Sequence, residues 1–170
     1  AIQEGHKVTV LDNLSTGLKK NVDYRAEFIQ GSTNSESDLS CVFENNSYDG
    51  VIHLAASKAA GESLANPSKY LDNNIIGSLN LIKYCVKYKV KLFVFSSSAA
   101  VYGSPKYNPI DEKPPLNPGN YYGYTKIIIE ENLRWFSKLA GIRYAALRYF
   151  NAAGYDIQKR IQNVEVDSSN

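Results

Sequence analysis

The chain contains 170 residues, of which 44% are hydrophobic and 21% are charged, and its formal net charge is +2. This length is enough for one domain with a hydrophobic core, and the charges are scattered, which excludes nucleic acid and an anionic membrane as expected partners. No apolar run approaches the roughly 20 residues that a membrane-spanning helix needs.

Several short apolar segments have the composition of β-strands. They cover residues 6–11, 26–30, 49–56, 91–95 and 144–149. The third segment is almost continuously apolar, which predicts a strand buried on both faces of a sheet. The fourth leads directly into three consecutive serines.

Longer segments between the predicted strands have helical patterns. They cover residues 35–45, residues 67–88 and a stretch that starts near Tyr122. Pro67 suits the first turn of a helix, and Gly141 after Lys138 is typical of a helix end. A proline-rich loop is expected over residues 104–119, before the last helix.

Strand and helix signals alternate along the chain, which predicts an α/β fold with a doubly wound parallel sheet and helices on both faces. Ligands bind beyond the carboxyl ends of the strands in such sheets. The polar residues that follow predicted strands are Asp12, Asn13, Ser57, Lys58, Ser96, Ser97, Ser98 and Asn151. We therefore expect one ligand-binding groove along this edge of the sheet.

The pattern with the clearest chemistry combines the serines with a tyrosine and a lysine. Tyr122 and Lys126 are four residues apart at a predicted helix start, so they share one helical face. A nearby ammonium favours the phenolate of a tyrosine, whose reference pKa is about 10. Tyr122 is therefore a candidate general base near neutral pH.

A second copy of the Tyr-x-x-x-Lys pattern runs from Tyr102 to Lys106. It contains Gly103 and Pro105, which oppose a helix and prevent the two side chains from sharing a face. The copy at Tyr122 is followed by a sustained helical pattern, so we prefer it. A simpler alternative for the serines, a turn that caps a helix, stays open.

The cysteines Cys41 and Cys85 do not lie in a spacing typical of a metal or redox site. We expect them to be reduced structural thiols in a cytoplasmic protein. No metal site is predicted.

Linked motifs over essentially the whole chain resemble the extended short-chain dehydrogenases, and among them the enzymes that epimerise UDP-hexoses at C4. The motifs are VTVLDNLSTG (8–17), HLAASKAAGES (53–63), NPSKYLDNNIIGSLNL (66–81), SSSAAVYG (96–103), YYGYTK (121–126) and LRYFNAAG (147–154). Their order and spacing also agree with that family. The resemblance implies an NAD-binding Rossmann-like domain.

The resemblance also implies which residues bind NAD. Asp12 corresponds to the carboxylate that binds the adenine ribose hydroxyls and would repel the 2′-phosphate of NADP. The remaining residues are Asn13, Ser15 and Gly17 in the adjoining turn, Lys58 and Asn73 near the nicotinamide, and Tyr149, which lines the cofactor.

The same resemblance assigns the catalytic roles. Ser98 is expected to hydrogen-bond the sugar O4, Tyr122 to act as the base, and Lys126 to hold the nicotinamide ribose and lower the pKa of Tyr122. Asn151 is expected to bind the diphosphate of the UDP-sugar substrate. The implied reaction is the NAD-dependent interconversion of UDP-glucose and UDP-galactose through transient oxidation at C4, a step of galactose metabolism.

Two positions depart from the family pattern. Ser32 follows Gly31, where the family has an aspartate that accepts a hydrogen bond from the adenine amino group. Ala100 stands where the family often has serine or threonine. Each departure removes one expected hydrogen bond to a ligand.

The family's first strand and Gly-rich turn have no counterpart in this sequence, so we expect an incomplete sheet. The missing strand is central in the family's strand order, so the predicted strands at 6–11 and 49–56 lack a common neighbour. Residues 1–154 are expected to form a partial NAD-binding domain with the catalytic residues, and residues 155–170 to start the connection to a substrate-binding domain. For the full-length protein the resemblance implies a homodimer.

Two other functions remain open. One is another extended short-chain dehydrogenase that acts on nucleotide sugars, of the 4,6-dehydratase or decarboxylase type. Dehydratases place acidic residues after the strand-end serine, where this chain has Ala99 and Ala100. The other is a non-catalytic binder of NAD or a nucleotide sugar, although the presence of Ser98, Tyr122 and Lys126 argues against it.

Overall fold

The computed structural model describes residues 1–152, so the predicted connection at 155–170 lies outside the described residues. In chain order the strands are β1 (Thr9–Asp12), β2 (Glu27–Gln30), β3 (Gly50–His53), β4 (Leu92–Ser96) and β5 (Arg143–Leu147). The α-helices are α1 (Glu36–Glu44), α2 (Ala60–Ala65), α3 (Pro67–Tyr70), α4 (Gly77–Lys87) and α5 (Tyr121–Ala140). Within this part of the chain, no helix has both the length and the apolar character needed to cross a membrane.

All the strands are parallel, and they form two separate hydrogen-bonded sheets. β1 pairs with β2, and β4 lies between β3 and β5. No strand ladder joins β1 to β3 in the described residues. The predicted parallel α/β class is confirmed, and the sheet is interrupted where the sequence predicts that two strands lack a common neighbour.

The main core lies between the long helices and one face of the sheet. Phe93 and Phe95 of β4 are fully buried at its centre. The helical residues around them are Leu39, Val42 and Phe43 of α1, Leu81, Ile82 and Cys85 of α4, and Ile129 and Leu133 of α5. Burying each of these large side chains contributes roughly 1.5–3 kcal/mol. This packing holds α4 and α5 against β4.

The opposite face of the three-stranded sheet carries exposed apolar residues. Ile52 of β3 is 65% exposed, and Leu92 and Leu147 are 40% and 47% exposed. The prediction that the 49–56 strand is buried on both faces is therefore wrong for the described residues. The long helices α1, α4 and α5 pack on the other face, and the connection between β1 and β2 contains only a short 3₁₀ helix, Lys19–Asn21.

The helix predicted over 67–88 is interrupted. Asn66 caps its start, Pro67 occupies its first turn, and a π-helical segment, Leu71–Ile76, joins α3 to α4. A π turn adds a residue to the helical repeat while the helix axis continues, so the apolar stripe alone does not reveal it. The segment contains Asn73, one of the predicted cofactor residues.

The two cysteines lie in different environments. Cys85 is buried in the main core, and burial raises the pKa of its thiol to about 12. Cys41 is exposed on α1, so the expectation that both thiols are structural is wrong for Cys41. Both are free thiols.

His53 is a buried core residue with a satisfied hydrogen bond. Its Nε2 lies 2.7 Å from the hydroxyl oxygen of Ser78 in α4, and its ring centroid lies 5.9 Å from those of Phe93 and Phe95. Burial, with a smaller contribution from the charge of Lys126, lowers the pKa of His53 to about 3. The folded protein therefore keeps this imidazole neutral.

This burial predicts a pH-dependent stability. Between pH 6.5 and about 3 the unfolded chain binds a proton at His53 that the folded chain excludes, so stability falls as the pH falls through this range. We expect His53 to account for about 2 kcal/mol of the stability lost between pH 7 and pH 5. Urea unfolding of the full-length protein at both pH values measures this loss, and His53→Gln should reduce it.

The matched control is His6→Gln, because His6 is exposed. The control should lose as much stability between pH 7 and pH 5 as the wild type. An equal loss in the wild type and in His53→Gln would contradict the assignment of the acid sensitivity to His53.

Candidate active site

The serines at the end of β4 form a tight turn that starts a 3₁₀ helix, Ala99–Tyr102. Ser98 caps this helix, since its hydroxyl oxygen accepts a hydrogen bond from the backbone N–H of Ala100 at 3.2 Å. The alternative interpretation of the serines as a helix-capping turn is therefore correct. The capping hydrogen bond occupies only a lone pair of the Ser98 hydroxyl oxygen. The hydroxyl proton of Ser98 can still be donated to a ligand.

The first turn of α5 packs directly on the Ser98 turn. Asn120 caps the helix by accepting from the N–H of Gly123 at 2.8 Å, and the N–H of Tyr122 donates to the hydroxyl of Ser63 at 3.1 Å. A Cβ at position 123 would lie 2.6 Å from the carbonyl oxygen of Ala100. Glycine at this position therefore lets Tyr122 approach Ser98.

Tyr122 is half-buried, and burial raises the pKa of its phenol. A hydrogen bond with the Ser98 side chain opposes this shift, and the neighbouring Tyr149 adds to it. The sequence predicts a lowered pKa because of Lys126. In the structure burial is the largest effect on this pKa and raises it, while the Lys126 ammonium lies 5.4 Å from the centre of the Tyr122 ring and donates a hydrogen bond to the Ser96 carbonyl.

Lys126 is almost fully buried, with 2% of its surface exposed. Its Nζ donates to the backbone carbonyl of Ser96 at 2.8 Å and lies 4.9 Å from the centre of the Phe95 ring. Burial lowers the pKa of Lys126 to about 8. The Lys126 side chain thus links α5 to the end of β4.

Tyr149 contacts the serine turn through both its side chain and its backbone. Its hydroxyl hydrogen-bonds the Ser96 hydroxyl, and its carbonyl accepts from the N–H of Ala99 at 3.0 Å. Tyr149 is 43% exposed and lies near Tyr122. The structure therefore brings Ser98, Tyr122, Lys126 and Tyr149 together.

Asn73 and Asn74 of the π-helical segment form hydrogen bonds that link the loop after β3 to α5. Asn73 donates to the hydroxyl of Ser57 at 3.0 Å. Asn74 accepts from the Ser57 N–H at 2.8 Å, and it donates to the Ser57 carbonyl at 3.0 Å and to the Thr125 hydroxyl at 3.2 Å. This network places the exposed Lys58, which follows Ser57, on a loop that is linked to α5.

The other predicted cofactor residues form a turn at the end of β1. The carboxylate of Asp12 accepts from the N–H of Leu14 at 2.7 Å, and Asn13 accepts from the N–H of Ser15 at 3.0 Å. A Cβ at Gly17 would lie 3.2 Å from Asp12 Oδ1, so the turn folds closely over the carboxylate. This turn belongs to the β1–β2 sheet, apart from the serine turn.

Two further positions that the sequence singles out are Asn151, the expected diphosphate ligand, and Ser32, which departs from the family pattern. Asn151 is exposed, two residues beyond Tyr149. Ser32, which replaces the expected aspartate, donates its N–H to the carboxylate of Asp38 at 2.8 Å. Its side chain accepts from the N–H of Asn34 at 3.2 Å.

The second tyrosine–lysine pair is separated as predicted. Tyr102 lies in the 3₁₀ helix and is buried, whereas Lys106 lies in the following loop and is exposed. The Tyr102 hydroxyl accepts a hydrogen bond from Arg148 at 2.9 Å.

Sequence reasoning missed several polar residues beside the site, namely the buried Asn74, Thr125 and Glu130 and the half-buried Arg148. One signal was available, because Glu130 follows Lys126 by four residues and so continues the face of Tyr122 and Lys126.

A family described as "NAD dependent epimerase/dehydratase family" matches residues 1–165. The chain belongs to this family. A UDP-glucose 4-epimerase of Lactobacillus helveticus is 46% identical over 153 residues, which cover 90% of this chain and 46% of that protein.

Solved structures of the family are closely similar. The UDP-glucose 4-epimerase from Brucella ovis in complex with NAD has a TM-score of 0.92 and 39% identity, and the match covers 96% of this chain and 50% of that one. The Thermotoga maritima UDP-glucose 4-epimerase with UDP-glucose has a TM-score of 0.84 and 36% identity, covering 87% and 48%. These structures agree with the predicted Rossmann-like fold, and the chain spans about half the length of the relatives.

The buried asparagine network gives a prediction about stability. Asn74→Leu keeps the approximate volume of the side chain but leaves the Thr125 hydroxyl and the Ser57 backbone groups without this partner. We expect the free energy of unfolding of the full-length protein to fall by about 1–3 kcal/mol, measured by chemical denaturation. In the control, Asn80→Leu, one hydrogen bond of 3.4 Å to the Thr33 carbonyl is lost, so the effect should be smaller. Equal losses would contradict this role of Asn74.

Proposed function

We propose that the full-length protein containing this chain interconverts UDP-glucose and UDP-galactose with NAD as its cofactor. The observation that carries the proposal is the convergence of Ser98, Tyr122 and Lys126 beyond the carboxyl end of β4. Relatives named UDP-glucose 4-epimerase, and solved structures holding NAD or UDP-glucose, support the choice of cofactor and substrate.

The residues at the end of β1 fit the adenosine half of NAD. The Asp12 carboxylate is partly exposed at the strand end and can accept hydrogen bonds from a ribose diol. Asn13, Ser15 and Gly17 border the same turn, and a Cβ at Gly17 would make a tight contact with the Asp12 carboxylate. Lys58, Asn73 and Tyr149 are assigned to the nicotinamide half.

The chemistry follows from the positions of the side chains. NAD, when bound, would supply the hydride acceptor for C4 of the sugar and the hydride donor that reduces C4 again on its opposite face. Tyr122, as the phenolate, takes the proton of the sugar 4-hydroxyl and later returns it, while Ser98 donates a hydrogen bond to O4. Lys126 holds the nicotinamide ribose of NAD, and Asn151 binds the diphosphate of the UDP-sugar. The net result is inversion at C4.

The packing around the serine turn favours epimerisation over dehydration. Dehydration needs an acidic group next to the sugar, but Ala99 and Ala100 follow Ser98. The nearby carboxylate of Glu130 is engaged by Ser97 and Arg148, on the buried side of the turn. It is therefore not available for elimination.

We also infer that the full-length protein is a homodimer. Exposed apolar side chains on the helical layer support this inference: Trp135 and Leu139 of α5 are 54% and 76% exposed, and Leu71 and Ile76 are 41% and 43% exposed. Burying such residues in a helix–helix contact removes apolar surface from water.

We further propose a cytoplasmic location and a role in galactose metabolism. The free thiols of Cys41 and Cys85 support a reducing compartment. The metabolic role follows from the proposed substrates.

The decisive experiment incubates the full-length protein with UDP-galactose and NAD and measures UDP-glucose formed. We expect conversion by the wild type and a loss of about 100-fold or more in Tyr122→Phe, because this variant lacks the general base. Binding of UDP-sugar without conversion by the wild type would overturn the epimerase proposal in favour of a binding protein.

Tyr124→Phe is the matched control. Tyr124 lies on the same helix, is 46% exposed and packs against the Tyr121 ring at 5.8 Å. It should retain wild-type activity. If Tyr122→Phe were as active as Tyr124→Phe, Tyr122 would not be the base.

The preference for NAD gives a separate prediction. Asp12→Asn keeps an oxygen that can accept from the Leu14 N–H but removes the charge that binds the ribose diol and repels a 2′-phosphate. We expect the affinity for NAD to fall by about 10- to 100-fold, and the ratio of the affinities for NAD and NADP to decrease. Calorimetry with both dinucleotides measures the two affinities.

The control is Asp23→Asn, at an exposed carboxylate paired with Arg25. An unchanged NAD affinity in Asp12→Asn would contradict the assignment of Asp12 to the ribose.

A further inference from the structure

We propose that Glu130 is a positioning residue that holds the serine turn and Tyr149 in register with Tyr122 and Lys126. This inference rests on the proposed function. Glu130 is only 8% exposed and lies four residues after Lys126 and eight after Tyr122 in α5. All three side chains therefore lie along one helical face, which faces the end of β4.

The carboxylate of Glu130 joins segments that are distant in sequence. The hydroxyl of Ser97 donates to Glu130 Oε1. Arg148 donates through Nε to Oε1 at 3.0 Å and to Oε2 at 3.1 Å, and through Nη2 to Oε2 at 2.5 Å. The Arg148 Nη1 also donates to the Tyr102 hydroxyl at 2.9 Å.

Ser97 and Arg148, the two hydrogen-bond partners of Glu130, are each adjacent in sequence to a residue of the proposed site. Ser97 is flanked by Ser96, whose carbonyl accepts from Lys126, and by Ser98. Arg148 is followed by Tyr149, which hydrogen-bonds the Ser96 hydroxyl. A displacement of Ser97 or Arg148 therefore moves a neighbouring site residue, because the two residues share a peptide bond.

The Glu130 carboxylate and the Arg148 guanidinium form an ion pair in this network. The hydrogen bond to Glu130 is the largest of the effects that raise the pKa of Arg148, so the guanidinium remains charged. Removal of Arg148 would leave the buried Glu130 carboxylate without its ion pair, which is destabilising, and removal of the carboxylate would leave the half-buried guanidinium without its main partner. A change at Glu130 alone would therefore mix a folding defect with a loss of positioning.

Ser97→Ala separates these two effects. It removes the hydroxyl bond to Glu130, but the carboxylate keeps its bonds to Arg148. The control is Ser40→Ala, which removes a hydroxyl that hydrogen-bonds Tyr84 at 2.9 Å between α1 and α4. Glu130→Gln, which keeps the side-chain shape but not the charge, is the second test variant.

The experiment measures kcat, KM and their pH profiles for UDP-galactose conversion by the full-length variants, with thermal melting in parallel. We expect Ser97→Ala to fold and to lower kcat by about tenfold or more with little change in KM, because the reacting groups are misaligned while the nucleotide is still bound. Glu130→Gln should lower kcat at least as much and should also melt at a lower temperature. Ser40→Ala should keep the wild-type kcat.

The pH profile distinguishes positioning from mere stability. The groups around Tyr122 are Lys126 on the same helix, Tyr70 on α3, and Ser98 and Tyr149 at the ends of β4 and β5. The Ser98 hydrogen bond lowers the pKa of Tyr122, so displacement of Ser98 should move the acidic limb of the kcat profile to higher pH in Ser97→Ala.

A wild-type protein that does not convert UDP-galactose would overturn both the proposed function and this inference. An active wild type with an unchanged kcat and pH profile in Ser97→Ala would overturn this inference alone. Glu130 would then only stabilise the fold.

Discussion

The arrangement of the site depends on a buried ammonium. Lys126 is 2% exposed, donates to the backbone carbonyl of Ser96 and lies over the rings of Phe95 and Tyr122. Burial of a cation is unfavourable unless it is compensated, which is why its pKa falls to about 8. The compensation requires α5 to lie within hydrogen-bonding distance of the end of β4, so the lysine and the serine turn constrain each other's position.

Several weaker contacts enforce the same approach. Gly123 removes the side chain that would strike Ala100, Ser63 binds the N–H of Tyr122, and Asn74 links Thr125 to the loop after β3. These contacts come from three different segments, yet all act on the first turns of α5. The N-terminal end of α5 is therefore held from several directions.

Local patterns are sufficient to predict the parallel α/β class, the approximate positions of the strands and the placement of Tyr122 and Lys126 on one helix, because periodicity and helix-breaking residues act within a few positions. They could not predict the partners of Asn74 or Glu130. Thr125 is 51 residues from Asn74, and Ser97 is 33 residues from Glu130, so only the folded topology brings these groups together. The exposed face at Ile52 was also missed, since an apolar run does not say which face is covered.

The pKa shifts of Tyr122 and Lys126 bear on how a ligand would affect the proposed reaction. Burial raises the pKa of Tyr122 and lowers that of Lys126 to about 8, so burial alone favours the neutral form of both groups. A lysine ammonium has three N–H donors, and the Ser96 carbonyl takes one of them. Ligand hydroxyls that accept from the others would favour the charged lysine, and a charged lysine beside the ring favours the phenolate. In the proposed reaction, a diol bound at Lys126 would therefore help to prepare Tyr122 for proton abstraction, so that ligand binding and catalysis would be coupled within one helical turn.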